Sequence, residues 1–122
     1  MAALAPDVRH NVVRSGDPHL SAYFNVTQSR IQAKAGAIDE AWRHLDLAAA
    51  TLPIEPSHTL DALHAFTATL LCSLGCRYTD AVQKGRRALY EAKAAGYGRL
   101  VPRILANLAL ARLSRREQEL VV

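Results

Sequence analysis

Apolar residues recur along most of this chain at the spacing of an α-helix, three or four positions apart. The clearest run is Ile38, Trp42, Leu45, Ala49 and Leu52, which forms one continuous apolar stripe on a helix. The pattern predicts six to seven helices, at about 7–14, 18–35, 38–52, 57–74, 79–95, 101–113 and 114–122.

Short sequence signals place the ends of these helices. Asp17-Pro18 predicts a start, because Asp can cap a helix and Pro fits its first turn. Gly36 and Gly75 predict ends, since glycine readily takes the left-handed conformation that closes a helix. The segment 114–117 (Ser-Arg-Arg-Glu) fits a capping box, which predicts that a separate short helix begins there.

The helix predicted at 79–95 has an unusually small inward face. Its members are Ala81, Gly85, Ala88, Ala92 and Ala95. Small side chains let the backbone of a neighbouring helix approach closely, and we expect Gly85 to serve this packing role.

The composition agrees with an all-α chain. Ala and Leu, the two best apolar helix formers, occupy 39 of the 122 positions, whereas aromatic residues are only 6% of the sequence and therefore poor material for sheets. A chain of 13.3 kDa is long enough to bury a core without disulfide or metal support. We predict one domain spanning residues 1–122.

The chain repeats itself at an interval of 40 residues, which separates Ala41 from Ala81. The segment 36–41 (Gly-Ala-Ile-Asp-Glu-Ala) is echoed by 75–81 (Gly-Cys-Arg-Tyr-Thr-Asp-Ala), which is one residue longer. Two helices of about 15 residues plus their turns fill such an interval, so each repeat is predicted to be a helical hairpin.

This repeat resembles the tetratricopeptide repeat family. The matching positions are Ser29, Gly36, Glu40, Ala41, Ala48 and Pro53 in the first repeat, and Ala68, Gly75, Asp80, Ala81 and Ala88 in the second. A third repeat keeps only its first helix, with Leu108 and Ala109 in the expected places. The resemblance implies a right-handed superhelix of antiparallel hairpins at about 18–52 and 57–95, with the first helix of a third hairpin at about 101–113. In that family the first helices line a groove that binds peptides or proteins, and catalysis is not implied.

A second resemblance lies at the end of the sequence. The segment 113–121 (Leu-Ser-Arg-Arg-Glu-Gln-Glu-Leu-Val) is similar to the opening of a LuxR-type helix-turn-helix domain. In one family of large bacterial regulators, helical repeats immediately precede such a domain. The resemblance implies a bacterial transcription regulator without its recognition helix, whereas a capped terminal helix accounts for the same residues.

No catalytic motif stands out. The sequence lacks the glycine-rich nucleotide-binding patterns, the His-Glu-x-x-His metalloprotease motif and the Gly-x-Ser-x-Gly hydrolase motif, so we expect neither enzyme activity nor a cofactor. Glu40 and His44 have the spacing of an acid–base pair, but no third group is evident that would orient the imidazole.

The two cysteines are more simply explained as reduced thiols than as metal ligands. Cys72 and Cys76 are four positions apart, and His64 or His58 could supply a third ligand. Structural zinc sites usually need four ligands, so we expect no metal. Reduced thiols are typical of a cytoplasmic protein.

No apolar run is long enough for a membrane span, and the first ten residues lack a secretory leader, so we expect no membrane association.

The groove implied by the family resemblance gives six candidate binding residues. They are Tyr23, Arg30, Lys34, Thr69, Arg103 and Asn107. Three of the six are cationic, which suits an acidic peptide, a carboxylate or a phosphate.

Charge is unevenly distributed along the chain. Residues 77–122 contain 10 basic and 4 acidic side chains, and the whole chain has a net charge of +4. The arginine pairs at 86–87 and 115–116 have no interleaved aromatic residues, so we do not expect direct nucleic-acid binding.

These observations predict a non-catalytic module for protein interaction or ligand sensing in bacterial transcription regulation. One alternative is a structural homodimer without an open groove, and another is a truncated DNA-binding regulator. We also expect homo-oligomers through the apolar terminal helices, at Leu105, Leu108 and residues 120–122.

Overall fold

The computed structural model describes residues 17–51 and 57–121. Within these two ranges the secondary structure is entirely α-helical, as the sequence predicts. The five described helices are α1 (Pro18–Lys34), α2 (Ile38–Ala50), α3 (His58–Leu74), α4 (Tyr78–Ala94) and α5 (Val101–Val121). The helix predicted at 7–14 lies outside the described residues.

The prediction of a separate short helix beginning at Ser114 is wrong. Helix α5 continues through Ser114 without a break, so the segments predicted as 101–113 and 114–122 form one helix of 21 residues. A capping box requires Ser114 itself to leave helical geometry as the N-cap residue, and no nearby Gly or Pro interrupts the helix before it.

The chain forms two compact units, within Met1–Pro56 and Ser57–Val122. In the first unit α1 packs against α2, and in the second α4 packs against both α3 and α5. Each unit therefore contains a helical hairpin, of α1 with α2 and of α3 with α4.

Side-chain caps define two of the helix starts. The Asp17 side chain accepts a hydrogen bond of 2.9 Å from the backbone N–H of His19, with Pro18 in the first turn, which confirms the predicted start of α1. The Ser57 hydroxyl accepts one of 3.3 Å from the backbone N–H of Leu60 at the start of α3.

The turns after α1, α3 and α4 have the same hydrogen-bond pattern, the Schellman motif. After α1, the N–H of Ala37 donates to the carbonyl of Gln32 at 2.9 Å; after α3, the N–H of Arg77 donates to the carbonyl of Cys72 at 2.8 Å. The left-handed residue is Gly36 in the first turn, with φ +83°, and Gly96 in the turn after α4, with φ +68°.

In the turn after α3 the left-handed residue is Cys76, with φ +60°. Gly75 is the C-cap of α3 with φ −90°, so the predicted end of the helix is confirmed, and the left-handed residue follows one position later. Cys76 is 40 residues after Gly36, as Ala81 is after Ala41, so the structural repeat contains no extra residue. Pairing Gly36 with Gly75 because both are glycines makes the second repeat look one residue longer than it is.

Alanine-rich surfaces bring the helices of each unit together. In the first unit Ala22, Val26, Ala41, Leu45 and Ala48 are buried. The second unit has a larger core, built from Ala62, Ala65, Phe66, Ala88, Ala92, Leu100 and Ile104. The predicted small face of α4 is confirmed, since a Cβ added at Gly85 would lie 2.9 Å from Cδ1 of Leu108 in α5.

Candidate functional site

Three of the expected groove residues share one face of α1 in the first unit. Tyr23, Arg30 and Lys34 are at positions i, i+7 and i+11, which a helical period of 3.6 places along one line. Tyr23 and Arg30 are half-buried, and Lys34 is exposed.

The second unit brings two of the expected residues together on α5. The Arg103 guanidinium lies over the Phe66 ring of α3, 5.4 Å from its centroid. The Asn107 amide donates a hydrogen bond of 2.8 Å to the backbone carbonyl of Arg103 one turn earlier. The ring of Phe66 therefore fixes the position of an exposed cation by a cation–π contact.

Thr69, in contrast to Arg103 and Asn107, is buried. It is 1% exposed, and its hydroxyl donates to the carbonyl of Ala65 in its own helix at 2.9 Å. A threonine bonded in this way satisfies its own polar group inside the hairpin and leaves no surface for a partner.

A polar network links the two helices of the first unit through His44. Its Nδ1 lies 3.1 Å from Oδ1 of Asn25, whose amide nitrogen donates to the carbonyl of Ser21 at 3.1 Å. Because Asn25 uses its nitrogen there, its oxygen is the acceptor and His44 Nδ1 is the donor. Nε2 of His44 lies 3.5 Å from the guanidinium of Arg43.

This network differs from the acid–base pair that the spacing of Glu40 and His44 suggested. Glu40 accepts two hydrogen bonds from Arg43, at 2.8 and 3.0 Å. These bonds hold the pKa of the Glu40 carboxyl below its usual value. His44 is buried and bonded to Asn25 of α1, so it connects α2 to α1.

A second buried polar contact connects the ends of α3 and α4. Glu91 is 9% exposed, and its Oε2 lies 2.6 Å from Nδ1 of His58. This contact gives a hydrogen-bond partner to the Glu91 carboxylate, which is buried by the packing of α4.

The two cysteines differ in environment. Cys72 is buried and Cys76 is exposed, and burial raises the pKa of the Cys72 thiol. Across residues 17–51 and 57–121 there is no group of three or more His, Cys, Asp or Glu side chains placed to hold a metal ion.

The surface of α4 that faces away from its small face is cationic. Arg86, Arg87, Tyr90 and Lys93 are all exposed there, with Tyr90 67% exposed. The three cations are three or four positions from Tyr90, so all three are its neighbours on the helix surface. We call these four residues the α4 cationic face.

No described carboxylate, within residues 17–51 and 57–121, forms an ion pair with the α4 cationic face. The two acidic residues of α4 are used elsewhere, since Asp80 forms an ion pair with Arg77 at 2.9 Å and Glu91 contacts His58. Among the residues that the structure describes, no salt bridge involves the three cations of this face. The exposed arginines Arg43 and Arg77, in contrast, both have a carboxylate partner.

Sequence reasoning missed this face because it treated the 86–87 arginine pair as adjacent residues in a solvated surface. The informative signal is the helical spacing, which groups both arginines with Tyr90 and Lys93 rather than with each other.

Comparison with protein-family models, curated proteins and solved structures returned no match for this chain. In the described part of the chain, none of the helices combines the length and the apolar character that crossing a bilayer requires.

Proposed function

We propose that this protein is a non-catalytic binding module whose α4 cationic face docks an acidic surface of a partner protein. The observation that carries the proposal is a set of three exposed cations on the same helix face as the exposed Tyr90, which have no carboxylate partner among the described side chains. Unpaired cations next to an aromatic residue are typical of protein interfaces, where Tyr and Arg are enriched.

The size of the face favours a protein partner over nucleic acid. Arg86 and Lys93 are seven residues apart, about 10 Å along the helix axis. Proteins that follow a phosphate backbone neutralise more charges, commonly six to ten phosphates over a longer path. Three cations with a central tyrosine fit a short acidic helix or loop better.

The hairpin geometry supports a tetratricopeptide-like repeat. The turns after α1 and α3 have the same hydrogen bonds, and the left-handed residues Gly36 and Cys76 are 40 positions apart. We therefore propose repeat units of this type, while the right-handed superhelix, the LuxR-type ending, the bacterial regulatory role and the cytoplasmic location stay predictions.

A charge-reversal experiment tests the proposed function. The probe is a fluorescein-labelled peptide of about fifteen residues that alternates Glu with apolar residues and contains one Trp, a size that spans an interface helix. We expect the Arg86→Glu, Lys93→Glu double variant to weaken peptide binding at least about tenfold, since both cations then repel the probe. Tyr90→Ser is expected to weaken binding without changing its salt dependence.

The control is Arg99→Glu, which reverses the charge of one exposed cation outside the face and is matched to the single variant Arg86→Glu. This control should bind within about twofold of the parent chain, because the total charge alone does not decide the affinity. Equal losses in Arg99→Glu and in the α4 variants would overturn the assignment of the face. Tighter binding of duplex DNA than of the peptide would also overturn it and favour the truncated-regulator alternative.

A further inference from the structure

Helix α5 has a second apolar surface besides the one that packs inside its unit. Ile104, Leu108 and Ala111 are buried, and Ile104 belongs to the core of its unit. Leucines elsewhere on the helix are exposed, Leu105 by 47%, Leu110 by 61%, Leu113 by 56% and Leu120 by 77%. So many exposed leucines on one helix indicate a surface for another chain.

The exposed positions follow the heptad spacing of a coiled coil. Ala106, Ala109, Leu113 and Leu120 are separated by three, four and seven residues, which corresponds to heptad positions a, d, a and a. The buried Ile104, Leu108 and Ala111 are on the opposite side of the helix, as the period of 3.6 residues requires. We call the exposed stripe of residues 105, 106, 109, 110, 113 and 120 the outer α5 face.

The residues at positions g and e beside the a and d positions are complementary to the same residues in a second copy of the helix. In a parallel pair, position g of one helix meets position e of the other, five residues further along. Arg112 (g) would then meet Glu117 (e), and Leu105 (g) would meet Leu110 (e). One g–e pair therefore joins opposite charges, and the other joins two apolar side chains.

An antiparallel pair does not have this complementarity. In that arrangement g faces g, so the Arg112 side chains of the two copies approach each other. Neither Arg112 nor Glu117 has an ion-pair partner among the side chains that the structure describes, which leaves both available for a second copy.

We propose that two copies of this chain associate through the outer α5 face as a parallel helix pair. Arg116 occupies the remaining d position, where a charged residue weakens the pair but its long aliphatic stem still packs. The inference is independent of the proposed function, because it rests on α5 and not on the α4 cationic face.

A charge-swap series followed by sedimentation equilibrium tests the proposal. We expect the parent chain to approach twice its mass of 13.3 kDa as its concentration rises. Arg112→Glu or Glu117→Arg should each weaken the dimer about tenfold, since both symmetric pairs become repulsive. The combined Arg112→Glu, Glu117→Arg variant should restore association, and Arg116→Leu should strengthen it.

The control is Arg99→Glu, an equal charge change outside α5, which should leave the dimer unchanged. Helicity by circular dichroism shows that each variant is folded. A parent chain that stays monomeric at all concentrations overturns the proposal, and so does a double variant that dimerises no better than the single variants.

Cysteine crosslinking distinguishes the two orientations. In a Cys76→Ser background, Ala106→Cys should form an intermolecular disulfide on oxidation, because equivalent a positions meet only in a parallel pair. Gln118→Cys, on the side of the helix away from the stripe, should not. Efficient crosslinking between Ala106→Cys and Arg116→Cys chains, without crosslinking of Ala106→Cys to itself, would show an antiparallel pair, in which position a faces position d, and would contradict the assignment.

Discussion

Cys76 is the residue with the least favourable backbone conformation in the described chain. It has φ +60° in a turn where Gly36 and Gly96 hold the same position after α1 and α4. A side chain with a Cβ costs about 1–2 kcal/mol in this left-handed conformation, so the turn after α3 is strained where the other two are not.

A glycine at this position should therefore stabilise the protein. We expect Cys76→Gly to raise the free energy of unfolding by about 1 kcal/mol, as measured by urea denaturation. Gly36→Ala, at φ +83°, should lower it by about the same amount. Gly75→Ala should be neutral or mildly stabilising, because Gly75 has φ −90° and an added Cβ would meet its nearest neighbour at an ordinary 3.6 Å. Destabilisation by Cys76→Gly would contradict this account of the turn.

The two thiols should react at very different rates. Cys76 is exposed, whereas Cys72 is 1% exposed and burial raises its pKa, so little of it is thiolate. With a thiol-specific disulfide reagent at neutral pH we expect one fast equivalent per folded chain and a second only on unfolding. Cys76→Ser should remove the fast equivalent, and a fast reaction that persists in this variant would show that Cys72 is accessible.

The close approach of α4 to α5 depends on the absence of a side chain at Gly85. An added Cβ would meet Cδ1 of Leu108 at 2.9 Å, and Leu108 is itself only 3% exposed and has little room to move. The small inward face that the sequence predicts for α4 therefore determines how closely this pair of helices packs.

A larger residue at position 85 should separate these helices. We expect Gly85→Val to lower the free energy of unfolding by about 2 kcal/mol, from overpacking against Leu108. Gln83→Val introduces the same residue on the exposed side of α4 and should change stability by less than about 0.5 kcal/mol. Thermal denaturation of the two variants compares them, and equal effects would show that the helix pair is loosely packed.

The contact between His58 and Glu91 should be asymmetric in its energetic effect. His58→Ala leaves the carboxylate of Glu91, 9% exposed, without its partner, at a cost of about 1–3 kcal/mol. Glu91→Gln removes the charge instead and leaves His58, half exposed, in contact with water, so its cost should be below about 1 kcal/mol. Urea denaturation of both variants measures the difference, and a larger loss in Glu91→Gln would contradict it.

The helices themselves could be predicted from the sequence, because apolar spacing and caps such as Asp17-Pro18 are local signals. The structure differs where a local signal competes with its surroundings. The hydroxyl of Ser114 could cap a new helix, yet nothing interrupts α5 before it. Gly75 could adopt a left-handed conformation, yet the hydrogen bonds of the turn place Cys76 there.

The candidate site could be predicted only in part for a related reason. The sequence shows that Thr69 is polar but not whether its side chain is buried or exposed. Only the packing of α3 shows that it is buried. The α4 cationic face, in contrast, could have been found from helical spacing. The absence of carboxylate partners needed the structure, because Asp80 and Glu91 are on the same helix and bind elsewhere.

At the scale of the whole chain, positive charge is concentrated in residues 77–122. Residues 1–76 contain 5 basic and 7 acidic side chains, whereas residues 77–122 contain 10 and 4. The positive part includes both the α4 cationic face and the outer α5 face. The second unit therefore attracts an acidic partner electrostatically before the two surfaces touch. Salt weakens this long-range attraction.

An NMR titration of the ¹⁵N-labelled chain with the acidic Trp-containing peptide tests the proposed binding surface. We predict chemical-shift changes at the backbone amides of Arg86, Arg87, Tyr90 and Lys93 that saturate with peptide and diminish with salt, while the amides of residues 38–50 do not change. Changes centred on Tyr23, Arg30 and Lys34, or on Arg103 and Asn107, would place the partner in the groove that the family resemblance implies and would contradict the assignment to α4.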